Sequence, residues 1–434
     1  MTLSSSAFLV TGLRLVSYNF KNNNPVKKDL KNMTEQSPPS PADEYEKEDP
    51  DRQGPPPPKR PRAAGSDVQM LVKMAEENDT ATSLRSSSLS SATMKLSGHT
   101  GSVYAVQYSP HTGATLCSAS FDSTCLLWNH HSKDYDNFNV LEGHQNAVLD
   151  CQWCDDETVV TCSADHTVQL WDAQTGQRLR KWGRSRRGQQ GQSSQSEGHS
   201  AIVNALAVPD PDSQTIASVS DDGTALLWDR RQKRPAARLI YSTSSPHRNN
   251  KNNTDHLTRT GSLSSSSIVF PLTAVAYARN QQIFTGSIDN LIVCWDVKMQ
   301  RKLYALQGHA DTITSLSLHP EQTHLLSNSM DHSLRTWDIR PFTTNPHHRH
   351  EKTFLGHVHN AEKGLLKCAW SPTGTMVTAG SADHLVHIWD EFSTEELYVL
   401  PGHAGAVNAV SFHPIENVIV SGASDKQIYV GELS

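Results

Sequence analysis

The sequence predicts an all-β fold in which seven copies of one four-stranded unit close into a ring, and three observations predict it. A tryptophan stands six residues after an aspartate six times (Asp122/Trp128, Asp165/Trp171, Asp222/Trp228, Asp289/Trp295, Asp331/Trp337 and Asp383/Trp389), and Asp425/Gly431 keeps the spacing without the indole. Gly-His pairs ending at His99, His144, His199, His309, His357 and His403 lie 21 to 26 residues upstream of six of these aspartates. Between the markers, short runs alternate apolar and polar residues and are punctuated by Gly, Asp, Asn or Pro, the pattern of half-buried strands joined by tight turns.

A period near 42 residues, opening on Gly-His and closing on Trp followed by Asp, is the WD-repeat signature, so the ring reads as a seven-bladed WD-repeat β-propeller. The first repeat predicts strands at 102–109, 115–120, 124–128 and 137–141. Innermost strands align on a large apolar residue (Tyr108, Trp153, Tyr277, Leu318, Trp370 and Phe412) suited to packing between neighbouring blades. The last repeat supplies three strands, at 406–412, 418–421 and 427–430, while a fourth stands before the first Gly-His at 93–96. Pairing that N-terminal strand with the last three closes the ring and covers edges that would otherwise template aggregation. Successive aspartates are 43, 57, 67, 42, 52 and 42 residues apart, which places inserts at 183–197, 242–267 and 341–352. The first two precede a first strand and leave one face. The third follows a Trp-Asp strand and leaves the other.

Residues 1–92 read as a disordered extension ahead of a propeller domain at 93–434. Prolines from Pro38, the acidic run at 43–51 and four prolines at 55–58 cannot bury enough apolar surface to offset ordering entropy. Lys59-Arg60-Pro61-Arg62 completes a proline/basic cluster at 55–62, which suits a nuclear import signal or a solvated charge cluster equally. A short helix at 68–77 is too brief for a coiled-coil arm. The opening residues lack a small-residue cleavage site, and the absence of acid before Asp29 leaves a transit-type leader open. No apolar run reaches the ~18 residues a membrane span needs.

The net charge is −6, and the excess acid falls on the repeats, which disfavours general attraction to phosphate backbones. Seven cysteines in a chain of this size read as reduced thiols. Cys151 and Cys154, three apart on one strand, face opposite ways and share no metal. Taken singly, His144, Ser163 and Asp165 have the composition of a hydrolytic triad. Recurrence in every repeat marks the set as a structural brace instead, in which the aspartate accepts from histidine and backbone N–H groups and a buried indole finds its partner. Phosphate-cradling glycine loops, GxSxG and HExxH do not occur. Nothing near His347, His348 and His350 fixes a metal geometry. Together these features predict no catalysis, no cofactor, no metal and no small-molecule substrate. Two basic stretches, Arg178 to Arg187 (including Arg184 and Arg186) and Arg230 to Arg238, form either a positive rim for RNA phosphates or acidic segments, or solvated loops.

Some stretches are more particular than a generic repeat. Leu325-Leu326-Ser327-Asn328-Ser329-Met330-Asp331 runs into Trp337-Asp338-Ile339-Arg340-Pro341-Phe342, and Val358-His359-Asn360-Ala361-Glu362-Lys363 precedes Trp370-Ser371-Pro372. Leu400-Pro401-Gly402-His403 follows, and Tyr429-Val430-Gly431-Glu432 replaces the last Trp-Asp. Over about residues 94–433 the chain resembles the family of 40-kilodalton WD-repeat proteins of the U5 small nuclear ribonucleoprotein, part of the spliceosome. Long Ser/Gln and Ser/Asn inserts around blades three and four depart from that family. Met33-Thr34-Glu35-Gln36 is similar to the family's opening, so the resemblance implies a native start at Met33, with residues 1–32 an upstream gene-model extension. It further implies a nuclear, noncatalytic scaffold docking the large central U5 protein, with RNA contact indirect or minor. Propellers of this kind use the face carrying the residues just before the brace aspartates. Phe121, Ile288 and Met330 are apolar there and are the expected anchors, with Asp221 and the basic Arg184, Arg186 and Arg187 beside them. A second reading, a substrate receptor of a cullin-type ubiquitin ligase, rests on the WDxR form at 228–231 and 337–340.

Overall fold

The computed structural model describes residues 87–89, 91–130, 132, 136–183, 198–244, 267–343, 348–359 and 364–433. Expectations placed on residues 1–86, on Arg184, Arg186 and Arg187, and on His347 lie outside them.

Seven four-stranded antiparallel sheets and one two-stranded ribbon make up the described residues. In blade 1 the strands are Val103–Tyr108, Thr115–Ser120, Thr124–Asn129 and Asn137–Glu142, paired in chain order. The innermost strands of blades 2 to 7 are Val148–Trp153, Val203–Ala207, Leu272–Tyr277, Ile313–Leu318, Cys368–Trp370 and Val407–Phe412. Blade 7 is completed by Val418–Ala423, Gln427–Glu432 and the N-terminal strand Thr93–Ser97, whose register runs from Thr93 opposite Gly431 to Ser97 opposite Gln427. The ring is therefore closed by both ends of the repeat region. Packing begins upstream of the predicted boundary at 92. Leu89 is buried in the cluster shared by blades 7 and 1, and Ser88 bonds Glu416.

Alternation on each strand gives two apolar faces, and each face packs on the neighbouring blade rather than on one central core. Trp153 of blade 2 is buried with Ala105, Cys117 and Leu127 of blade 1, and its indole donates to Gln107 O at 3.0 Å. Trp370 makes the same kind of bond to Ser317 O at 3.3 Å. Cys151 belongs to the blade 1–2 cluster, with its Sγ 3.4 Å from that of Cys117, whereas Cys154 lies just past the strand in the blade 2–3 cluster.

The inserts differ from one another at their bases. Ser242–Ser244 pairs with Ser267–Val269 in a ribbon, which brings the two ends of the second insert together. The third insert is shorter than predicted, because His350–Phe354 forms the outer strand of blade 5. His350 is thus a strand residue and not part of a solvated loop.

Candidate functional site

The brace is a repeated geometry with two departures. His Nδ1 lies against an aspartate oxygen in blade 1 (His99 to Asp122, 2.9 Å), blade 2 (His144 to Asp165, 3.1 Å) and blade 3 (His199 to Asp222, 3.3 Å). Blade 5 (His309 to Asp331, 2.9 Å) and blade 7 (His403 to Asp425, 3.0 Å) repeat it. The other ring nitrogen meets a strand hydroxyl on Ser118, Thr161, Ser218, Ser327 or Ser421 at 2.7–2.9 Å. In four of these blades the tryptophan N–H (Trp128, Trp171, Trp228, Trp337) donates into the same hydroxyl at 2.8–2.9 Å. In blade 7 the edge of Tyr429 stands against His403 instead. The residue after each aspartate is left-handed in all seven blades, with φ from 63 to 75°, and six of the seven are not glycine. A carboxylate accepting the N–H two residues on holds that turn. Burial alone would raise the Asp122 and Asp165 carboxyls. Hydrogen bonds, above all from His99 and His144, overcome it and hold both below the ordinary carboxylate range.

Blade 4 has no Gly-His, and Tyr241 fills the place: its hydroxyl donates to Asp289. Trp295 donates to Thr285 at 2.8 Å. Because Tyr241 directly follows the outer strand Pro235–Ile240, the insert can follow it without disturbing the brace. Nothing in the repeat spacing pointed to this residue.

Blade 6 corrects the expectation for His357. Its Nε2 lies 2.9 Å from Asn328 Oδ1 of blade 5 and its Nδ1 is buried without a partner, so it does not brace Asp383. Asp383 is held by His387 Nε2 at 2.9 Å, and His387 Nδ1 meets Glu396. Trp389 donates to Leu355 O at 3.1 Å rather than to a strand hydroxyl.

The brace hydroxyls cannot serve as nucleophiles, since Ser118, Thr161, Ser218 and Ser327 are fully buried and already occupied by two ring donors or acceptors. Candidate function therefore moves to the surfaces. The seven residues before the aspartates share one bond, their N–H donating to the residue ahead of the blade's innermost strand or its loop (Phe121 to Ser102, Asp221 to Ile202, Ile288 to Pro271, Met330 to Thr312). That bond places them on one face, here the entry face. Phe121 is 41% exposed and sits edge-on to Tyr104, while Ile288 and Met330 are half-buried. Asp221 accepts from Asn204 Nδ2 at 2.7 Å, and burial pushes its carboxyl up.

Consecutive antiparallel strands put the loops after innermost and Trp-bearing strands on the opposite face. There Met299, Phe342, Phe392 and Ile415, on consecutive blades 4 to 7, are 64%, 97%, 87% and 71% exposed. All four exceed the predicted anchors, and apolar residues inside polar turns were the available signal. Both WDxR arginines also lie on this face, each folded onto its own aspartate: Arg231 to Asp229 (2.9 and 3.0 Å) and Arg340 to Asp338 (2.8 and 2.9 Å). Arg230 bonds Asp155 at 2.8 Å, so part of the expected positive rim is neutralised by blade 2.

A channel of about 640 Å³ runs along the ring axis. One ring of positions in the innermost strands holds small residues (Ala105, Ala205, Ala274, Ser315, Ala409) except at Asp150 and Lys367, which pair across the channel from blades 2 and 6. Asp150 also accepts Leu206 N at 2.9 Å, tying blade 3 to the pair.

Fold and brace together define a WD-repeat propeller. The family model described as WD domain, G-beta repeat, matches residues 90–129, 136–172, 191–229, 300–338, 349–390 and 394–430. The chain is 39% identical over 351 residues to the U5 small nuclear ribonucleoprotein 40 kDa protein of Homo sapiens, covering 80% of this chain and 86% of that one. It is 36% identical over 353 residues to the pre-mRNA-splicing factor cwf17 of Schizosaccharomyces pombe, covering 81% and 90%. The chain belongs to the family of the U5 small nuclear ribonucleoprotein 40 kDa protein.

Proposed function

We propose that this chain is a noncatalytic scaffold of pre-mRNA splicing, a nuclear subunit of the U5 small nuclear ribonucleoprotein that docks the particle's large central protein. The observation that carries the reading is the 39% identity over 80% of the chain to a protein named for that particle, more than shared repeat markers account for. The geometry supports it. The polar chemistry of the repeats is spent inside the blades, and two apolar rims remain outside, Phe121 with Ile288 and Met330 on one face and Phe342 with Phe392 on the other. Exposed aromatics on a rigid frame suit protein partners, and a net charge of −6 leaves RNA contact minor.

The test is capture of the tagged full chain from nuclear extract, with proteins identified by mass spectrometry and the RNA probed for U5. Large U5 proteins together with that RNA are the expected catch. A ubiquitin-ligase adaptor without the RNA would replace this reading by the one built on Arg231 and Arg340.

A further inference from the structure

Positive charge is collected on one side of a chain whose net charge is −6. The outermost strands of blades 2, 3 and 4 are Arg178–Trp182, Pro235–Ile240 and Arg301–Leu306. They belong to consecutive blades and join into one lateral wall. The Trp182 indole of blade 2 donates to Gln232 O of blade 3 at 2.8 Å, and Ala237 of blade 3 packs on one cluster with Val297 and Ala305 of blade 4. Blade 2 contributes Arg178, Arg180 and Lys181 to the wall, and blade 3 contributes Lys233 and Arg238. Lys298, Arg301 and Lys302 extend it over blade 4. Arg178 and Arg238 meet only neutral acceptors, Gln169 Oε1 at 3.2 Å and Gly198 O at 3.3 Å, which leave their charge uncompensated. Two carboxylates that reach among these cations are already engaged, Asp229 by Arg231 at 2.9 Å and Asp155 by Arg230 at 2.8 Å. Asp172 and Asp296 cap the turns into the strands, accepting Gln174 N at 2.9 Å and Met299 N at 3.0 Å. Elsewhere on the ring the outermost strands of blades 1 and 6, Asn137–Glu142 and Glu396–Leu400, carry acid and neither lysine nor arginine. The rim is polarised.

Each of the three strands also exposes one aliphatic side chain among its cations: Leu179 (54%), Ile240 (40%) and Leu303 (37%). A positive groove holds single-stranded nucleic acid by stacking its bases on aromatic rings. Among the described residues the exposed phenylalanines, Phe121, Phe138, Phe342 and Phe392, stand on blades 1, 5 and 6 and not on this wall. Aliphatic contacts interleaved with cations complement a polypeptide in which apolar and acidic side chains are interleaved. We propose that the lateral wall of blades 2 to 4 docks an acidic, apolar-bearing segment of a protein partner. Only the partner's membership of the U5 particle rests on the scaffold reading, because the docking chemistry stands on the wall itself.

The experiment captures the tagged full chain with its partners from nuclear extract and treats the washed complex with a carbodiimide, which condenses lysine amines with carboxylates in direct contact. Mass spectrometry reads the joined peptides. Lys181, Lys233, Lys298 and Lys302, all exposed, are expected to be joined to aspartates or glutamates of one partner, and Lys95, on blade 7, is not. Lys181→Glu/Lys233→Glu/Lys302→Glu should lower retention of that partner about tenfold at physiological salt. An unchanged melting temperature shows that the blades of this variant still form. Glu142→Lys/Glu395→Lys, on the acidic side, should leave retention as it is. Retention by the triple variant equal to wild type, or no cross-link from the four wall lysines to a partner, would overturn the proposal. Concentration-dependent sedimentation of the purified chain that disappears in Glu142→Lys/Glu395→Lys would replace the partner by a second copy. An oligouridylate RNA bound about tenfold more weakly by the triple variant, with no carboxylate joined to the wall, would assign the wall to nucleic acid instead. U5 proteins captured without cross-links from the wall would leave the function intact while the wall fails. An acidic protein joined to the wall in a capture free of U5 proteins would do the reverse.

Discussion

Blade 1 and blade 6 carry the same markers in the same order and use them differently. In blade 1, His99 links Asp122 to Ser118, and Trp128 donates into the same Ser118 hydroxyl. In blade 6 the Gly-His to Asp spacing is 26 residues against 21 to 23 elsewhere. His357 is displaced onto Asn328 of blade 5, His387 takes Asp383, and Trp389 turns to a backbone carbonyl. The fold tolerates this because the aspartate turn needs only some donor: His384 after Asp383 has φ 75°, like Ser123 after Asp122 at 69°. What differs is connectivity. The brace of blade 1 stays within its own blade, whereas blade 6 sends its Gly-His histidine, His357, to blade 5 and Lys367 across the channel to blade 2.

The largest effect expected from that wiring is at Lys367. Lys367→Met leaves the Asp150 carboxylate, 2% exposed at its side chain, without its cation. Breaking a buried pair from one side costs about 3–5 kcal/mol, and denaturant unfolding should read that loss. If Asp150→Ala/Lys367→Met is no more stable than Lys367→Met, the pair is not what holds blades 2 and 6.

Next in size is the shared hydroxyl. Ser118→Ala strands two buried donors or acceptors at once, for about 2–4 kcal/mol. Blade 6 has Ala379 in that register and no shared hydroxyl to lose; Thr378→Ala, one residue earlier, removes a single bond to His387 O, for about 1 kcal/mol. Equal losses would erase the distinction between the two blades. Smaller again is Tyr241→Phe, which deletes the hydroxyl holding Asp289 and should cost about 1.5–3 kcal/mol. Tyr241→His tests whether blade 4 accepts the common brace, and recovery of stability relative to Phe is the expected result.

The sequence made the ring legible because its markers sit at fixed intervals: seven aspartates locate seven turns, and a strand at 93–96 had to be the missing partner of the last three. Strand ends moved by one or two residues, as at Ser97 and Ala423. Tyr241 was not legible, since the Gly-His marker it replaces is absent and the insert separates it from its blade. His387 was visible only as a histidine four after Asp383. Asp150 and Lys367 were readable in principle, each standing three before an aligned tryptophan where other blades hold Ala or Ser, but their pairing needs the ring closed. Exposure was least legible. Only the polar turns around them tell Phe342 and Phe392 from Phe284 and Phe354, which lie in strands and are buried.

The two blades should also part in acid, and here the signs oppose. In blade 1 the Asp122 carboxyl is held below its ordinary value, so its contribution is present above the unfolded pKa near 4 and is lost only as pH falls below that. In blade 6, burial and the neighbouring His359, His387 and His332 push His357 down to about 3, and burial with His332 pushes His359 down to about 4. A histidine depressed in the fold is protonated first in the unfolded chain. Stability is therefore full above about pH 6.5 and falls from there toward pH 4, by about 2 kcal/mol per ring at pH 5. Asp331 and Asp311 face His359 and oppose part of the shift without reversing it. Melting curves of wild type, His359→Gln and Asp122→Asn between pH 7.5 and 4 make the comparison. His359→Gln should roughly halve the slope between pH 6.5 and 5 and His357→Gln/His359→Gln should flatten it, where Asp122→Asn should leave it unchanged. A wild-type slope that survives the double substitution would place the acid sensitivity outside the join between blades 5 and 6.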